Sequence, residues 1–327
     1  MIGFLNSLRA PVLTGFFVWI ALMLAGCATP QMASLDGRWP QNLATRAQLD
    51  DVPFYPQEDY ECGPAALAMV AGAAGVPVRP EALVDQVYLP GRKGSLQLEM
   101  LAASRRQGLL AYPLRPHLEA VMREVAAGNP VLVFQNLAFP IYPVWHYAVV
   151  IGFDRDRKVV MLHSGRSERM EMSLFTFERT WARAGHWSMV ALPPARLPAT
   201  AESQAYAIAA SALERVNPGA AQVAYASALQ RWPDDRAALL GAGNTAYALA
   251  QREIAIEAYR TAVRRKPDFS DAWNNLAQVL LDTGQVDEAA AAIDRAVTLG
   301  GERRPRYLEL QATIKGQKQR KLPDALR

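Results

Sequence analysis

The sequence predicts an α+β domain followed by an all-α repeat solenoid, on three observations. Between residues 62 and 127 apolar residues recur at helical spacing, and from Val131 to Leu192 they fall into short β-branched and aromatic runs. Helices first and antiparallel strands second make an α+β domain. A proline-rich stretch, Leu192-Pro193-Pro194-Ala195-Arg196-Leu197-Pro198-Ala199, ends that pattern, and the chain beyond it is alanine-rich with no strand signal. Within that second half, Pro233 and Pro267 stand 34 residues apart, as do Ala221, Ala255 and Ala289, Tyr225, Tyr259 and Ile293, and Ala228, Ala262 and Ala296. A length of 327 residues leaves room for two domains.

The first residues read as a targeting segment. Arg9 supplies a positive start, Val12 to Leu24 is an apolar run too short for a comfortable membrane span, and Leu24-Ala25-Gly26-Cys27 closes it. This ending resembles a bacterial lipobox. The resemblance implies a signal peptide over 1–26, cleavage before Cys27, and lipid on its sulfur as a membrane anchor. Ala28, rather than an aspartate, follows the cysteine, so the outer membrane, facing the periplasm, is the expected address. A plain signal peptide or an uncleaved anchor is the alternative. Residues 27–50 are polar, with Pro30 and Pro40, and read as a tether.

The elements follow in order. A helix is predicted from Ala65 to Gly75, and another from Arg79-Pro80-Glu81 to about Val87. Pro90 to Gly94 forms a loop. Ser95 is expected to cap a helix through Gln107, and Leu118 to Ala127 forms the next. Strands are expected at Val131–Gln135, Tyr147–Phe153, Lys158–His163, Met170–Met172 and Trp187–Leu192, with Asp154 and Asp156 solvated in a turn.

The chemistry gathers at Gln57-Glu58-Asp59-Tyr60-Glu61-Cys62-Gly63-Pro64-Ala65-Ala66-Leu67. Gly63-Pro64 reads as a helix start, because proline fits a first turn. Cys62 at a helix N-terminus meets unpaired N–H groups and the positive end of the dipole, which favour a thiolate. The chain has two cysteines; with Cys27 taken by lipid, Cys62 has no disulfide partner in an oxidising compartment. That setting points to a nucleophile more than to a buried hydrophobe.

Together with Trp145-His146-Tyr147-Ala148-Val149-Val150-Ile151-Gly152-Phe153-Asp154, this stretch resembles the double-glycine (bacteriocin-processing) cysteine peptidases, a papain-like group, over residues 51–193. The resemblance implies a papain-like fold in which Cys62 attacks a peptide carbonyl, His146 is its base and Gln57 stabilises the oxyanion. Cys62 and His146 stand 84 residues apart. Members of this group carry an aspartate on the strand after the histidine. Here that place reads Leu162-His163-Ser164-Gly165, so the orienting group falls to Ser164, the small neutral acceptor, or to His163. His117 and His186 are given no role. One cysteine and four scattered histidines make no zinc-ligand spacing, and no metal or other cofactor is expected.

After the linker at 194–201, the segments 202–235, 236–269 and 270–303 resemble three tetratricopeptide repeats, leaving a basic tail at 304–327. The net charge of +4, without a long basic block, argues against a nucleic-acid partner. The reading that joins these parts is a membrane-anchored cysteine peptidase acting on a peptide or protein, with repeats that bind a protein partner. Its rival is an inactive peptidase-like domain serving with the repeats as an envelope scaffold. A bare repeat assembly factor explains the repeats but leaves Cys62 without a reason.

Overall fold

The computed structural model describes residues 29–56, 62–92 and 94–321. Cys27, Gln57 and the signal segment lie outside the described residues. Among the described residues no helix is long and apolar enough to cross a membrane.

The first domain is one antiparallel sheet with helices on both faces. Its elements are α1 (Pro30–Gly37), β1 (Arg46–Gln48), α2 (Cys62–Ala73), α3 (Glu81–Val87), β2 (Tyr88–Leu89), β3 (Gly94–Ser95), α4 (Gln97–Arg106) and β4 (Leu110–Pro113). They continue with α5 (Leu118–Ala126), β5 (Val131–Asn136), β6 (Trp145–Asp154), β7 (Val159–Ser164), β8 (Ser167–Ser173), α6 (Leu174–Ala182) and β9 (Ser188–Leu192). The strands run in the order β4-β9-β5-β6-β7-β8, and β1 pairs with the far end of β6, where Ala47 opposes Phe153. Strand alternation sorts the core into two layers. Tyr147, Val149 and Ile151 face α2, while Ala148 and Val150 join Val121, Val125, Phe177 and Trp181 on the other side.

Several expectations need correcting. Residues 29–50 are part of the fold rather than a tether. Met32 and Leu35, one turn apart in α1, are buried against the sheet domain, and the Glu178 carboxylate accepts the N–H groups of Gln31 and Met32. A helix N-terminus has spare N–H donors, and a carboxylate satisfies two here. Ser95 does not cap α4, which begins at Gln97; it pairs with Tyr88 in the two-stranded β2–β3 ribbon. Asp154 is buried rather than solvated, because its Oδ1 accepts the Arg157 N–H and β1 closes over it. The helix α6 was not anticipated.

The second domain consists of α7 (Ser203–Glu214), α8 (Pro218–Arg231), α9 (Arg236–Ala248), α10 (Arg252–Arg265), α11 (Ser270–Asp282), α12 (Val286–Leu299) and α13 (Arg304–Lys321). The 34-residue columns appear as geometry. Helices open at Pro218, Arg252 and Val286 and close at Arg231, Arg265 and Leu299, each 34 residues after the last. Every residue of the three columns is buried. Pro at the first position of α8 and the side chains of Asn217 and Asp235 start their helices, the latter two accepting the N–H groups of Ala220 and Ala238. Glycine does the close packing. A Cβ on Gly241 would sit 2.2 Å from Tyr225 Cζ, and one on Gly243 would sit 2.2 Å from Tyr259 Cε1. Residues 304–321 are a helix rather than a basic tail, burying Tyr307 and Ile314 against the last repeat. That closes the apolar end of the array, as a stacked repeat requires.

The linker is not free. The wholly buried Glu124 of α5 accepts from Ala199 N at 3.1 Å, Thr200 N at 2.7 Å, Thr200 Oγ1 at 2.6 Å and Asn129 Nδ2 at 2.6 Å. Arg196 donates to Ala127 O, and the Tyr112 hydroxyl bridges Thr200 O and Glu202 N. Tyr206, Ala210 and Leu213 of α7 then extend the core layer that contains Leu110 and Tyr112 of β4. The two domains share one continuous core layer.

Candidate active site

The site is assembled at the end of the sheet where β5 stops and β6 begins. Helix α2 opens at Cys62, as the Gly-Pro signal predicts. Gly63 is required there, since a Cβ would lie 2.2 Å from Ser95 Oγ on β3. Ser95 O accepts the Tyr147 hydroxyl at 3.1 Å, and Tyr147 lies close enough to Cys62 for its backbone N–H to pull the thiol's pKa down. The first turn of α2, the β3 ribbon and the start of β6 are thus tied in a closed ring of contacts.

The direction of the Tyr147 N–H follows from the strand register. Phe134 N donates to Trp187 O on the β9 side, so Phe134 and Tyr147, which oppose each other, form a non-hydrogen-bonded pair. The Tyr147 N–H therefore points away from β5, towards the edge where β7 has already ended at Ser164. Ser164, the last residue of β7, places its Oγ 2.9 Å from His146 Nε2. The distal ring nitrogen is thus engaged by Ser164.

His163 goes elsewhere. Its Nε2 lies 3.2 Å from Val52 O, its Nδ1 accepts the Arg169 N–H at 3.2 Å, and Phe54 packs on the ring. With both nitrogens taken, it has none left for His146, which removes it from the site as an orienting group. His117 is the N-cap residue of α5 without a side-chain capping bond, and His186 lies edge-on to Trp181.

The electrostatics depart from the sequence expectation. Burial pushes the Cys62 thiol above its ordinary value, and the N–H groups of Tyr147, Gly63 and Cys62 pull down without overcoming it. Burial also holds the His146 imidazole down, to about 4. Desolvation disfavours both charged forms. The helix N-terminus does not outweigh burial here, so the neutral thiol and the neutral imidazole are each favoured over their charged forms.

Sequence reasoning passed over Tyr147 and Ser95, which hold the nucleophile in place. Tyr147 lies inside the segment that marks His146, but nothing in the pattern says that its N–H meets a sulfur. Gln135, directly across from His146, was read only as the end of a strand. It is wholly buried, with Nε2 donating to Thr180 Oγ1 at 2.6 Å.

Comparison with known proteins agrees with this division. Residues 49–189 match the model of the Peptidase_C39 like family, and residues 240–304 match a tetratricopeptide repeat model. No curated protein matches the chain. Among solved structures, a putative C39-like peptidase from Bacillus anthracis is 19% identical with a TM-score of 0.38, over 45% of this chain and 97% of that one. The type III secretion chaperone SycD of Yersinia enterocolitica, in complex with a peptide of the translocator YopD, is 21% identical with a TM-score of 0.33, over 35% of this chain and 92% of that one. The TPR2B domain of yeast Sti1 is 19% identical with a TM-score of 0.32, over 34% of this chain and 98% of that one. The chain is therefore similar to the C39-like peptidase family over residues 49–189 and to a tetratricopeptide repeat over residues 240–304.

Proposed function

We propose that the protein is a cysteine peptidase held at the membrane by lipid on Cys27, with its repeats presenting a protein partner or substrate. The observation that carries the reading is His146 Nε2 held 2.9 Å from Ser164 Oγ, on the residue before Tyr147, whose N–H pulls the Cys62 thiol's pKa down. In this reading the Nε2–H donates to Ser164 Oγ, which fixes the tautomer with a free lone pair on Nδ1. As the Cys62 sulfur attacks the substrate carbonyl, its proton passes to Nδ1. The carbonyl oxygen becomes an oxyanion, received by the Cys62 backbone N–H and the Gln57 side-chain amide. The intermediate collapses to a thioester as His146 returns the proton to the leaving amine. Water, deprotonated by the same imidazole, then releases the acid and the thiol; an amine in its place gives acyl transfer.

The depressed basicity of His146 and the raised thiol mean that proton transfer accompanies attack rather than preceding it. A neutral serine stabilises an imidazolium less than a carboxylate does, so turnover is expected to be modest. That same neutral partner favours the second reading, a peptide-binding scaffold without turnover. A peptidyl electrophile decides between them. Labelling at Cys62, lost in Cys62→Ala together with at least about a thousandfold of any peptide cleavage, supports the enzyme. An unlabelled, correctly folded wild-type protein ends it.

A further inference from the structure

The β5–β6 connection is built like a membrane-docking tip. From Gln135 to Trp145 the chain carries no Asp, Glu, Lys or Arg. At its tip Phe139 is 73% exposed, Ile141 80% and Tyr142 78%, and Leu137, Val144 and Trp145 flank them with about half their surface open. Globular proteins seldom leave so many adjacent apolar side chains in water without a partner for them.

The tip is fixed in shape. The buried Asn136 accepts the N–H groups of Ala138 at 3.1 Å and Val144 at 3.0 Å through Oδ1, and Leu137 N donates to Val144 O at 2.9 Å. Arg183, just past α6, holds Asn136 O with two nitrogens, at 3.1 and 3.0 Å. At the base Trp145 stacks on Phe134 with ring centres 5.2 Å apart.

The start of the described chain emerges at the same end of the domain. Gln31, at the beginning of α1, accepts the Leu118 N–H at 2.6 Å and donates to Pro116 O at 3.0 Å. Those residues open α5 and follow β4, whose Pro113 opposes Met189 at the start of β9, the tip end of the sheet. Asp36, near the other end of α1, pairs with Lys158 in the β6–β7 turn, at the opposite end of the sheet. Helix α1 thus runs away from the tip end, and the described chain begins at that end. Three residues of extended chain span only about 10 Å, so a lipid on Cys27 would hold this end at the bilayer surface.

We infer that the β5–β6 tip inserts into the bilayer interface and presses the active-site end of the domain against the membrane. A peptide site is concave, whereas this tip is convex and uncharged, with Tyr and Trp among its aliphatic side chains, a composition suited to the headgroup boundary. The substrate is then a polypeptide whose scissile bond lies close to the bilayer. The orientation rests on the lipid reading of Cys27; insertion of the tip does not.

The test uses the mature chain with Cys27→Ser, which cannot carry lipid, and vesicles of phosphatidylethanolamine and phosphatidylglycerol. The intact tip should sediment with vesicles at millimolar lipid. Phe139→Asp/Ile141→Asp should lower that partitioning at least tenfold while the melting temperature and electrophile labelling of Cys62 in solution stay unchanged. An unlipidated chain that ignores vesicles, or a variant that binds them equally, overturns the inference. So does a variant that keeps vesicle binding but raises KM for a soluble peptide, which would make the tip a peptide subsite. Metabolic labelling of Cys27 with a fatty acid tests the anchor separately, so either idea can fail alone.

Discussion

The repeat array and the peptidase domain are stabilised by different kinds of contact. In the array, each helix packs on neighbours a fixed number of residues away, so two columns of alanine and one of large side chains specify the packing throughout. In the peptidase domain, the decisive contacts join segments far apart in sequence. Cys62 meets Tyr147, Gly63 meets Ser95, and Ser164 meets His146. A periodic structure repeats its own instructions, whereas the candidate site depends on closures that no local pattern records.

The contrast breaks most visibly at the junction, where the two kinds of packing share one core layer. Glu124→Ala would strand the donors of Asn129, Ala199 and Thr200. The expected cost is about 3 kcal/mol, since each buried donor left unmade is expensive. It should appear as a lowered melting temperature and new proteolytic cleavage within 194–201. Retained protease resistance there would mean that the domains are joined by other contacts.

Inside the array the expected effect is smaller. Gly241→Ala puts a methyl group into the Tyr225 ring, and about 1–3 kcal/mol should be lost to overpacking. Gly284→Ala, where the glycine has a φ of +78° and no atom lies within 4 Å of the added Cβ, should cost about 1 kcal/mol through backbone strain alone. Chemical denaturation of the two variants should rank them in that order; equal losses would show that the ring has room to move.

This difference explains what could be read in advance. The columns Ala221–Ala255–Ala289 and Tyr225–Tyr259–Ile293 were legible because repetition makes weak signals add. The helix at Cys62 and the strand after His146 were legible from Gly-Pro and from the apolar run Tyr147–Phe153. Helix α1 was not, because it has only Met32 and Leu35 to bury and takes its N-terminal partner, Glu178, from 146 residues or more away. Helix α6 carries Leu174, Phe177 and Trp181 at helical spacing, a short signal that falls between the strands expected at Met170–Met172 and Trp187–Leu192. The thiol and imidazole shifts follow from burial, which composition does not encode.

Within the site, the effect of the orienting position should be smaller still and pH-dependent. Ser164→Ala should lower kcat two- to tenfold by freeing the His146 ring. Ser164→Asp would place a carboxylate on Nε2 and favour the imidazolium, so the acid limb of kcat/KM should move up in pH from about 4, the value at which burial holds His146. Linkage gives the sign for stability. A histidine whose folded value lies below its unfolded one contributes stability that is present above about 6.5 and is lost as pH falls towards 4. Ser164→Asp should flatten that loss. Profiles that coincide for both variants would leave position 164 without a part.

The most direct measurement compares alkylation of Cys62 by a peptidyl electrophile in the wild type and in His146→Ala at neutral pH. A thiol raised by burial reacts quickly only if a neighbouring imidazole takes its proton as the bond forms. The account predicts specific labelling of Cys62 in the wild type and a loss of at least a hundredfold in rate without the ring, in a variant that melts as the wild type does. Equal rates in the two proteins would contradict it.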